Sequence, residues 1–511
     1  MKSNSRTAKS LKNGFVAIGF YFINLLLQFF SRKIFLEYLG SEILGLNSTA
    51  QNLLQFLNLA ELGISTAVSF TLFKPLHDKD TQIINEIVTL QGKLYKRIGF
   101  FLLCGGFILM GFFPLIFEKI TLPLWYAYAI FIVLLLSALL SYFVNYRQIV
   151  LTANQEDYKV QYCYKPVQFI KLVLQIFAVK YLQNGFIWWL ALEAAGAIIS
   201  AFLLRYVTYK SAPYLVNVKR SYKSLSQQYK TFKIKIKQLF IHKISLFALS
   251  EIAPLIIYAY LDLTIVTLYV NYQLMFTGVK QLISSTFNSI GAGIGNLVSS
   301  SNEPQIIKVF NELFTIRFMC ALIVCFCLYN LADDFIKVWI GPEYLLPKST
   351  LILMLIILSI GVIRQAVESF IYAYGLYSDV WAAGTEASLN IGFSILLGYY
   401  YGLNGILCGI IISLVVIIMG WKPYFLFRTK LKGYFWKYHL QYLKHIIFAV
   451  PVWIFSTFIF SLFHNKLPLN FLDFTYDTLI CLTIISLFTF ITYYLLTKSC
   501  KNFVNRFIKI R

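Results

Sequence analysis

Charged residues are scarce in this chain of 511 residues. They make up 13% of it, against about 25% in a typical soluble domain. So low a fraction excludes an ordinary cytosolic enzyme and a disordered chain. The eight cysteines contain no CxxC pair, which argues against zinc sites, and most of them lie in apolar runs as small, reduced packing residues. The five histidines form no HExxH motif, and no phosphate-binding loop occurs. We therefore expect no metal, no cofactor and no use of ATP.

The sequence instead contains many long apolar runs, with 59% hydrophobic residues and a mean hydropathy of +0.69. A helix that crosses a bilayer needs about 20 mostly apolar residues, and fourteen segments qualify. The first is too long for a signal-peptide core and no small-residue cleavage site follows it, so we expect it to be kept as a membrane helix. The segments are 13–39, 45–73, 97–117, 124–146, 162–181, 185–207, 241–261, 264–298, 308–331, 350–374, 380–401, 403–427, 443–463 and 475–497.

The distribution of positive charge tests this count of helices. With the N-terminus in the cytoplasm, the segments predicted to be cytoplasmic hold 34 of the 45 Lys and Arg residues, and the opposite loops hold five. Cytoplasmic loops of membrane proteins are enriched in Lys and Arg in this way. The net charge of +23 therefore follows membrane topology. Nucleic-acid binding is not expected, and both termini are predicted to be cytoplasmic.

The longest basic loop, 205–243, divides the predicted helices into six, six and a final pair. The sequence thus predicts an all-α polytopic membrane protein with two six-helix lobes and a C-terminal helix pair. Transporters are commonly built from such repeated bundles. The predicted domains are an N-terminal lobe at 1–208, a basic cytoplasmic linker at 209–240, a C-terminal lobe at 241–428, and the final pair with a basic tail at 429–511.

Polar residues inside the predicted helices are the candidate binding groups. A charge at the bilayer centre costs about 2.5–3.5 kcal/mol on insertion scales, so it persists where it pairs, snorkels or faces a wet cavity. Several of these residues recur at helical spacing, which predicts one shared polar cavity. Cationic groups in a cavity suit a phosphate-bearing substrate, because guanidinium and ammonium both bind phosphate oxygens. The predicted substrate-binding residues are Arg32, Lys33, Asn58, Glu61, Lys280 and Arg364, and no catalytic residue is expected.

Structural roles are open for some intramembrane polar residues. Arg317 lies about nine residues from the predicted cytoplasmic end of its helix and could snorkel. Arg364 and Glu368 are four residues apart and could form a structural pair. Lys171 could point to a neighbouring helix or to lipid headgroups, and Glu61 could make a bond between helices.

Several stretches of the chain resemble one known family, and the first 80 residues carry the most specific part. The chain resembles the polysaccharide-transporter branch of the multidrug/oligosaccharidyl-lipid/polysaccharide exporter superfamily, the bacterial O-antigen and capsule flippases. The similar residues are Phe35–Ser48, Leu57–Ala67, and Lys74–Leu76 with Lys79–Asp80. The likeness continues in order along most of the chain. The other similar stretches are Ile241–Ile244, Leu268–Tyr272, Trp339–Tyr344, Glu386 with Asn390, and Gly402–Gly409.

The resemblance implies a non-enzymatic flippase. Such a protein moves an undecaprenyl-diphosphate-linked oligosaccharide across the bacterial cytoplasmic membrane by alternating access of two lobes. The implied partners are that substrate, membrane lipids, and a polysaccharide polymerase with export machinery. Many relatives have Asp in the middle of the seventh predicted span, 241–261, where this chain has Glu251. We assign Glu251, with Glu386 of the predicted span 380–401, as candidate ion-coupling residues.

The sequence leaves two other functions open. A drug or cation antiporter of the same fold would line its cavity with carboxylates, and both signs of charge occur here. A membrane glycan polymerase or ligase would need a large external domain, whereas no predicted outer loop exceeds about 20 residues.

Overall fold

The computed structural model describes residues 26–58, 64–154, 156–229, 252–288, 294, 297–298, 302–376, 379–464, 468 and 470–509. These residues fall into two compact units, Met1–Thr267 (unit 1) and Leu268–Arg511 (unit 2). No strand occurs in the described ranges. All eight cysteines are free.

Unit 1 is built of helices whose longest members pack side by side. Helix α8 (Asp157–Tyr181) packs on α9 (Gly185–Ser211), and α6 (Trp125–Phe143) packs on α2 (Ser41–Leu57), α4 (Thr81–Gly111) and α9. Asp80 caps α4, because its Oδ1 accepts the backbone N–H of Ile83 at 3.0 Å. The helices are α1 (26–39), α2 (Ser41–Leu57), α3 (Ile64–Asp78), α4 (Thr81–Gly111), α5 (Phe113–Ile116), α6 (Trp125–Phe143), α7 (Ile149–Ala153), α8 (Asp157–Tyr181), α9 (Gly185–Ser211), α10 (Tyr222–Gln228) and α11 (Ile252–Tyr260). A 3₁₀ turn covers Tyr146–Gln148.

Unit 2 is centred on one long helix, α13 (Glu303–Trp339), which packs against α14 (Lys348–Ala373) and α18 (Phe471–Leu496). Asn302 caps α13 by accepting the N–H of Gln305 at 3.2 Å. The helices are α12 (Leu263–Asn288), whose first turn belongs to unit 1, α13 (Glu303–Trp339), α14 (Lys348–Ala373), α15 (Val380–Ser413), α16 (Lys422–Thr429), α17 (Phe435–Phe463), α18 (Phe471–Leu496) and α19 (Lys498–Lys509). A 3₁₀ turn covers Pro342–Tyr344, and a π-helix covers Leu414–Trp421.

Eight helices of the described ranges are long and apolar enough to cross a membrane. They are Thr81–Gly111, Trp125–Phe143, Gly185–Ser211, Glu303–Trp339, Lys348–Ala373, Trp381–Thr429, Phe435–Phe463 and Phe471–Leu496. The predicted fold class, an all-α polytopic membrane protein, is confirmed. Among the remaining predicted spans, 13–39, 45–73, 241–261 and 264–298 include residues outside the described ranges, and 162–181 forms part of α8. The predicted domain boundaries stay a prediction.

A break at Gly402 divides α15, where the sequence predicts two spans, 380–401 and 403–427. Gly402 has φ 55° and ψ −136°, a conformation open mainly to glycine. The chain then returns along itself, because a Cβ on Gly409 would lie 2.3 Å from the backbone nitrogen of Ser394. Gly405 and Gly409, one turn apart, thus permit the backbone contact of this helical hairpin.

Helix α4 begins at Thr81, well before the apolar segment predicted at 97–117. Its polar first half is covered by the chain that follows α9. Asn85 donates to the carbonyl of Tyr214 and accepts from the N–H of Val216. Hydropathy alone misses this half, because its polar groups are bonded inside the protein.

Candidate functional site

Unit 2 holds a group of charged side chains inside its helices. Arg364 and Glu368 lie four residues apart on α14, so both side chains leave the same face of the helix. The Nε of Arg364 is 3.5 Å from Oε1 of Glu368, which confirms the predicted pair. The Nη1 of Arg364 is also 3.8 Å from Oε1 of Glu386 on α15. One guanidinium thus joins two carboxylates from two packed helices.

The second carboxylate of this group is deeply placed. Glu386 is 5% exposed, and its polar neighbours along α15, Asn390 and Ser394, are buried as well. The Ser394 hydroxyl lies 3.0 Å from the carbonyl oxygen of Ile406, beyond the Gly402 break. These polar residues of α15 therefore have two roles: Glu386 faces a cation, and Ser394 bonds the two arms of the hairpin to each other.

Arg317 of α13 contacts α14 at the residue next to Arg364. Its Nη1 donates to Oε1 of Gln365 at 2.5 Å. Its guanidinium also lies over the ring of Phe287, 4.2 Å from the centroid, a favourable cation–π contact. Arg317 is 4% exposed, so it does not snorkel to an exposed position.

Lys280 of α12 completes the group. The charges of Arg364 and Glu368 both act on its ammonium, whereas its side chain is exposed. Lys280 is therefore near Arg364 and Glu368 and is accessible to a ligand. The five residues Lys280, Arg317, Arg364, Glu368 and Glu386 are called the unit 2 charge cluster below.

The composition of the unit 2 charge cluster indicates its chemistry. Three cations stand against two carboxylates, so the group carries a net positive charge when all members are ionised. At about 4 Å and an effective dielectric constant near 20, each opposite pair gains about 4 kcal/mol of Coulomb energy, comparable with the insertion cost of a charge. The paired charges can thus persist inside spanning helices α13, α14 and α15, and the cluster as a whole still attracts an anion.

A second ion pair lies at the end of the hairpin. Lys422, in the first turn of α16, donates to Oδ2 of Asp379 at 2.6 Å, and Asp379 is 2% exposed. Sequence reasoning missed this pair, as well as the position of Arg317 beside Gln365. Residues 43 positions apart in sequence give no periodic signal, so only the folded helices bring Lys422 and Asp379 together.

The predicted residues of unit 1 occupy different environments. Arg32 is half-buried on α1, with its Nη2 atom out of solvent contact, whereas its neighbour Lys33 is exposed. Asn58 follows the last turn of α2 and accepts the hydroxyl of Tyr142 at 3.1 Å. The bond of Asn58 therefore ties α2 to α6. That a substrate contacts these residues stays a prediction.

Two predicted residues, Glu61 and Glu251, lie outside the described residues. Lys171 is described, and it pairs with a neighbouring helix. Its Nζ donates to Oε1 of Glu193 on α9 at 2.7 Å, and Gln175 donates to Oε2 of the same carboxylate at 3.0 Å. The neighbouring-helix interpretation of Lys171 is confirmed.

The sequence matches no family model and no curated protein. Solved structures do match it. The lipid II flippase MurJ in an inward closed conformation superimposes with a TM-score of 0.66 at 15% identity, over 94% of this chain and 99% of that one. An inward-facing multidrug resistance MATE family transporter of the MOP superfamily gives 0.62 at 12% identity, over 82% and 99%.

A MATE transporter of Vibrio cholerae gives a TM-score of 0.53 at 13% identity, over 85% of this chain and 100% of that one. At such identities the likeness establishes the fold. The chain is a multi-pass membrane protein with the fold shared by the MurJ and MATE structures.

Proposed function

We propose that this protein is a flippase that moves an undecaprenyl-diphosphate-linked oligosaccharide across the bacterial cytoplasmic membrane for surface polysaccharide export. The observation that carries the proposal is the unit 2 charge cluster, in which three cations and two carboxylates come together from α12, α13, α14 and α15. The fold supports it, because one of the similar structures is a lipid II flippase. The family resemblance of the first 80 residues narrows the substrate class to polysaccharide precursors.

The chemistry needs no bond to be made or broken. A flippase has to shield a diphosphate and sugar hydroxyls from hydrocarbon while the prenyl chain stays in lipid. Arg364 and Lys280 hold the diphosphate oxygens, and Glu368 and Glu386 act as counter-ions to the cations before the substrate binds. Arg317 is already bonded to Gln365, so it adds positive potential rather than a direct contact. The cycle is one of alternating access, and both termini are cytoplasmic.

Cation antiport is the second candidate function, and the position of Glu386 favours it. A buried carboxylate inside a spanning helix could bind a proton or a cation instead of serving as a counter-ion. MATE family structures, which the fold also resembles, include a multidrug resistance transporter. Neutralisation of a cluster cation separates the two functions, because it weakens the binding of an anion and strengthens the binding of a cation.

The test uses the purified full-length protein with two probes, undecaprenyl diphosphate and the lipophilic cation tetraphenylphosphonium. A charged hydrogen bond contributes about 1.5–3 kcal/mol, so we expect Arg364→Gln and Lys280→Gln each to weaken undecaprenyl diphosphate binding by about 10- to 100-fold. Lys308→Gln is the control, because Lys308 is an exposed cation of α13 outside the cluster. Unchanged diphosphate binding in both variants would overturn the proposal, and cation binding by the wild type would favour antiport.

Transport itself is then measured in vesicles that contain undecaprenyl diphosphate linked to a short neutral oligosaccharide. Lectin access to the sugar at the outer face reports flipping. We expect the wild type to expose the sugar and Arg364→Gln to slow its exposure, with Lys308→Gln as fast as the wild type. A wild-type protein that leaves the sugar inside would contradict the proposed function.

A further inference from the structure

Unit 1 contains a cavity of about 660 Å³, and none of its lining residues belongs to the unit 2 charge cluster. Its walls come from α4, the end of α6, the 3₁₀ turn that follows α6, and the last turns of α9, with residues 212–217 closing one side. This space is called the unit 1 cavity below. A volume of this size is within the range of small-molecule sites.

The charge of the unit 1 cavity has one sign. Lys96, Arg147 and Arg205 line it, and no Asp or Glu is among its described lining residues. Lys96 and Arg205 are both exposed, so their charges are accessible to a ligand. A space surrounded by three cations without a local counter-ion favours an anion.

One of these cations is held in a fixed position. The Nη2 of Arg147 donates to Oδ1 of Asn217 at 3.0 Å, and its Nε donates to the Tyr146 hydroxyl at 3.2 Å. A third donor reaches the carbonyl of Leu215 at 3.4 Å. Guanidinium has five N–H donors, so two remain for a ligand. A preorganised fork of this kind matches phosphate geometry.

Two buried oxygens in the wall of the unit 1 cavity favour a ligand that carries hydroxyl groups. Oδ1 of Asn145 and Oγ1 of Thr208 are shielded from solvent and lack hydrogen-bond partners among the described residues. Asn145 is 9% exposed and Thr208 is 4% exposed, and both line the cavity. Buried polar atoms are normally bonded. Hydroxyl groups beside a bound phosphate would supply the missing donors.

Exposed aromatic rings indicate where the unit 1 cavity opens. Phe202, Tyr206 and Tyr209 line it near the end of α9 and are largely exposed. Aromatic residues concentrate at the level of lipid headgroups. The charge count predicts the surrounding loops, 74–97, 147–165 and 205–243, to be cytoplasmic, where the leaflet is anionic.

We infer that the unit 1 cavity binds a phosphate ester that carries hydroxyl groups, in the form of an anionic phospholipid headgroup such as phosphatidylglycerol. Lys96, Arg147 and Arg205 hold the phosphate, and Asn145 and Thr208 receive the hydroxyls. The rings of Phe202, Tyr206 and Tyr209 contact the start of the acyl chains. This site is independent of the proposed flippase function, because it shares no residue with the unit 2 charge cluster.

The experiment measures lipid binding to the detergent-solubilised full-length protein by native mass spectrometry. The probes are phosphatidylglycerol, the anionic but hydroxyl-free phosphatidylethanol, and zwitterionic phosphatidylcholine. We expect the wild type to bind them in that order of decreasing affinity. Arg205→Gln should weaken phosphatidylglycerol binding about fivefold. Lys210→Gln is the matched control, because Lys210 is an exposed cation of α9 that does not line the cavity.

A second variant tests the contact with the ligand's hydroxyl groups. Thr208→Val keeps the shape of the side chain and removes the unpartnered oxygen, so it should abolish the preference for phosphatidylglycerol over phosphatidylethanol. Thermal unfolding of each variant verifies that it is folded. Equal losses in Arg205→Gln and Lys210→Gln, or no preference for the anionic lipids in the wild type, would overturn the site.

A competition experiment distinguishes the two sources of the headgroup. Glycerol 3-phosphate that displaces phosphatidylglycerol shows that the site accepts soluble phosphate esters, and retention of the lipid shows that the acyl chains are also needed. Both results retain the phosphate-ester site.

Discussion

The guanidinium of Arg364 lies 3.8 Å from the carboxylate of Glu386, which comes from the neighbouring helix of unit 2. The same guanidinium is 3.5 Å from Glu368. Two carboxylates therefore share one cation, and a phosphate that binds Arg364 has to compete with both. This relationship makes the response to charge removal depend on which partner is removed.

Glu386→Gln should tighten the binding of undecaprenyl diphosphate by about twofold to fivefold, because it removes a competitor of the phosphate for Arg364. Its effect is opposite in sign to that of Arg364→Gln. Titration of the purified variants with undecaprenyl diphosphate measures both effects. Weaker diphosphate binding in Glu386→Gln would mean that the carboxylate is not a counter-ion, and a lost response to tetraphenylphosphonium in the same variant would support antiport.

Gly409→Ala should destabilise the hairpin of α15. The new Cβ would lie 2.3 Å from the backbone nitrogen of Ser394, and backbone atoms cannot move aside as a flexible side chain can. Such overpacking costs about 1–3 kcal/mol, and a lower thermal unfolding midpoint in detergent reports it. Gly392→Ala, on the same helix, is the control, because nothing lies within 4 Å of its added Cβ. Equal midpoints for the two variants would contradict this account of the hairpin.

Lys171→Met should destabilise unit 1, because it leaves the carboxylate of Glu193 between two helices without its cation. Breaking a buried pair costs about 3–5 kcal/mol; the cost here is smaller, because the two side chains are 15% and 27% exposed. The double variant Lys171→Met with Glu193→Met should recover part of the loss, since no unpaired charge remains. Thermal unfolding of the single and double variants gives the coupling energy. Strictly additive losses would show that the pair contributes nothing.

Glu86→Gln should loosen the chain segment that follows α9. Glu86 is 2% exposed, and its carboxylate lies 3.0 Å from Arg220 and accepts the Tyr229 hydroxyl at 2.7 Å. Burial, and after it the hydrogen bond and charge of the Glu86 carboxylate, raise the pKa of Tyr229 above its ordinary value. Loss of this charge should speed tryptic cleavage at Lys219 and Arg220. Glu118→Gln, at an exposed position, should cleave at the wild-type rate, and cleavage of Glu86→Gln at that same rate would contradict the anchoring role.

Helical character and membrane location follow from local sequence alone. Long apolar runs leave the backbone no partner in lipid other than its own helix, so the helices around Arg317, Arg364 and Glu386 are predictable. The i, i+4 spacing of Arg364 and Glu368 likewise places both side chains on one helix face, where they can pair. The two spans on either side of Gly402 can be predicted from hydropathy.

Contacts between distant residues are decided by tertiary structure, because periodicity carries no information about which helix lies next to which. Glu386 as a second partner of Arg364, Gln365 as the acceptor of Arg317, and Asp379 as the partner of Lys422 all depend on helix packing. The same is true of the polar start of α4, because the sequence pattern predicts Asn85 and Glu86 to lie in a loop before the apolar span 97–117. The sequence by itself thus determined a basic, polytopic helical protein, and only the packed helices decided which of its charges act together.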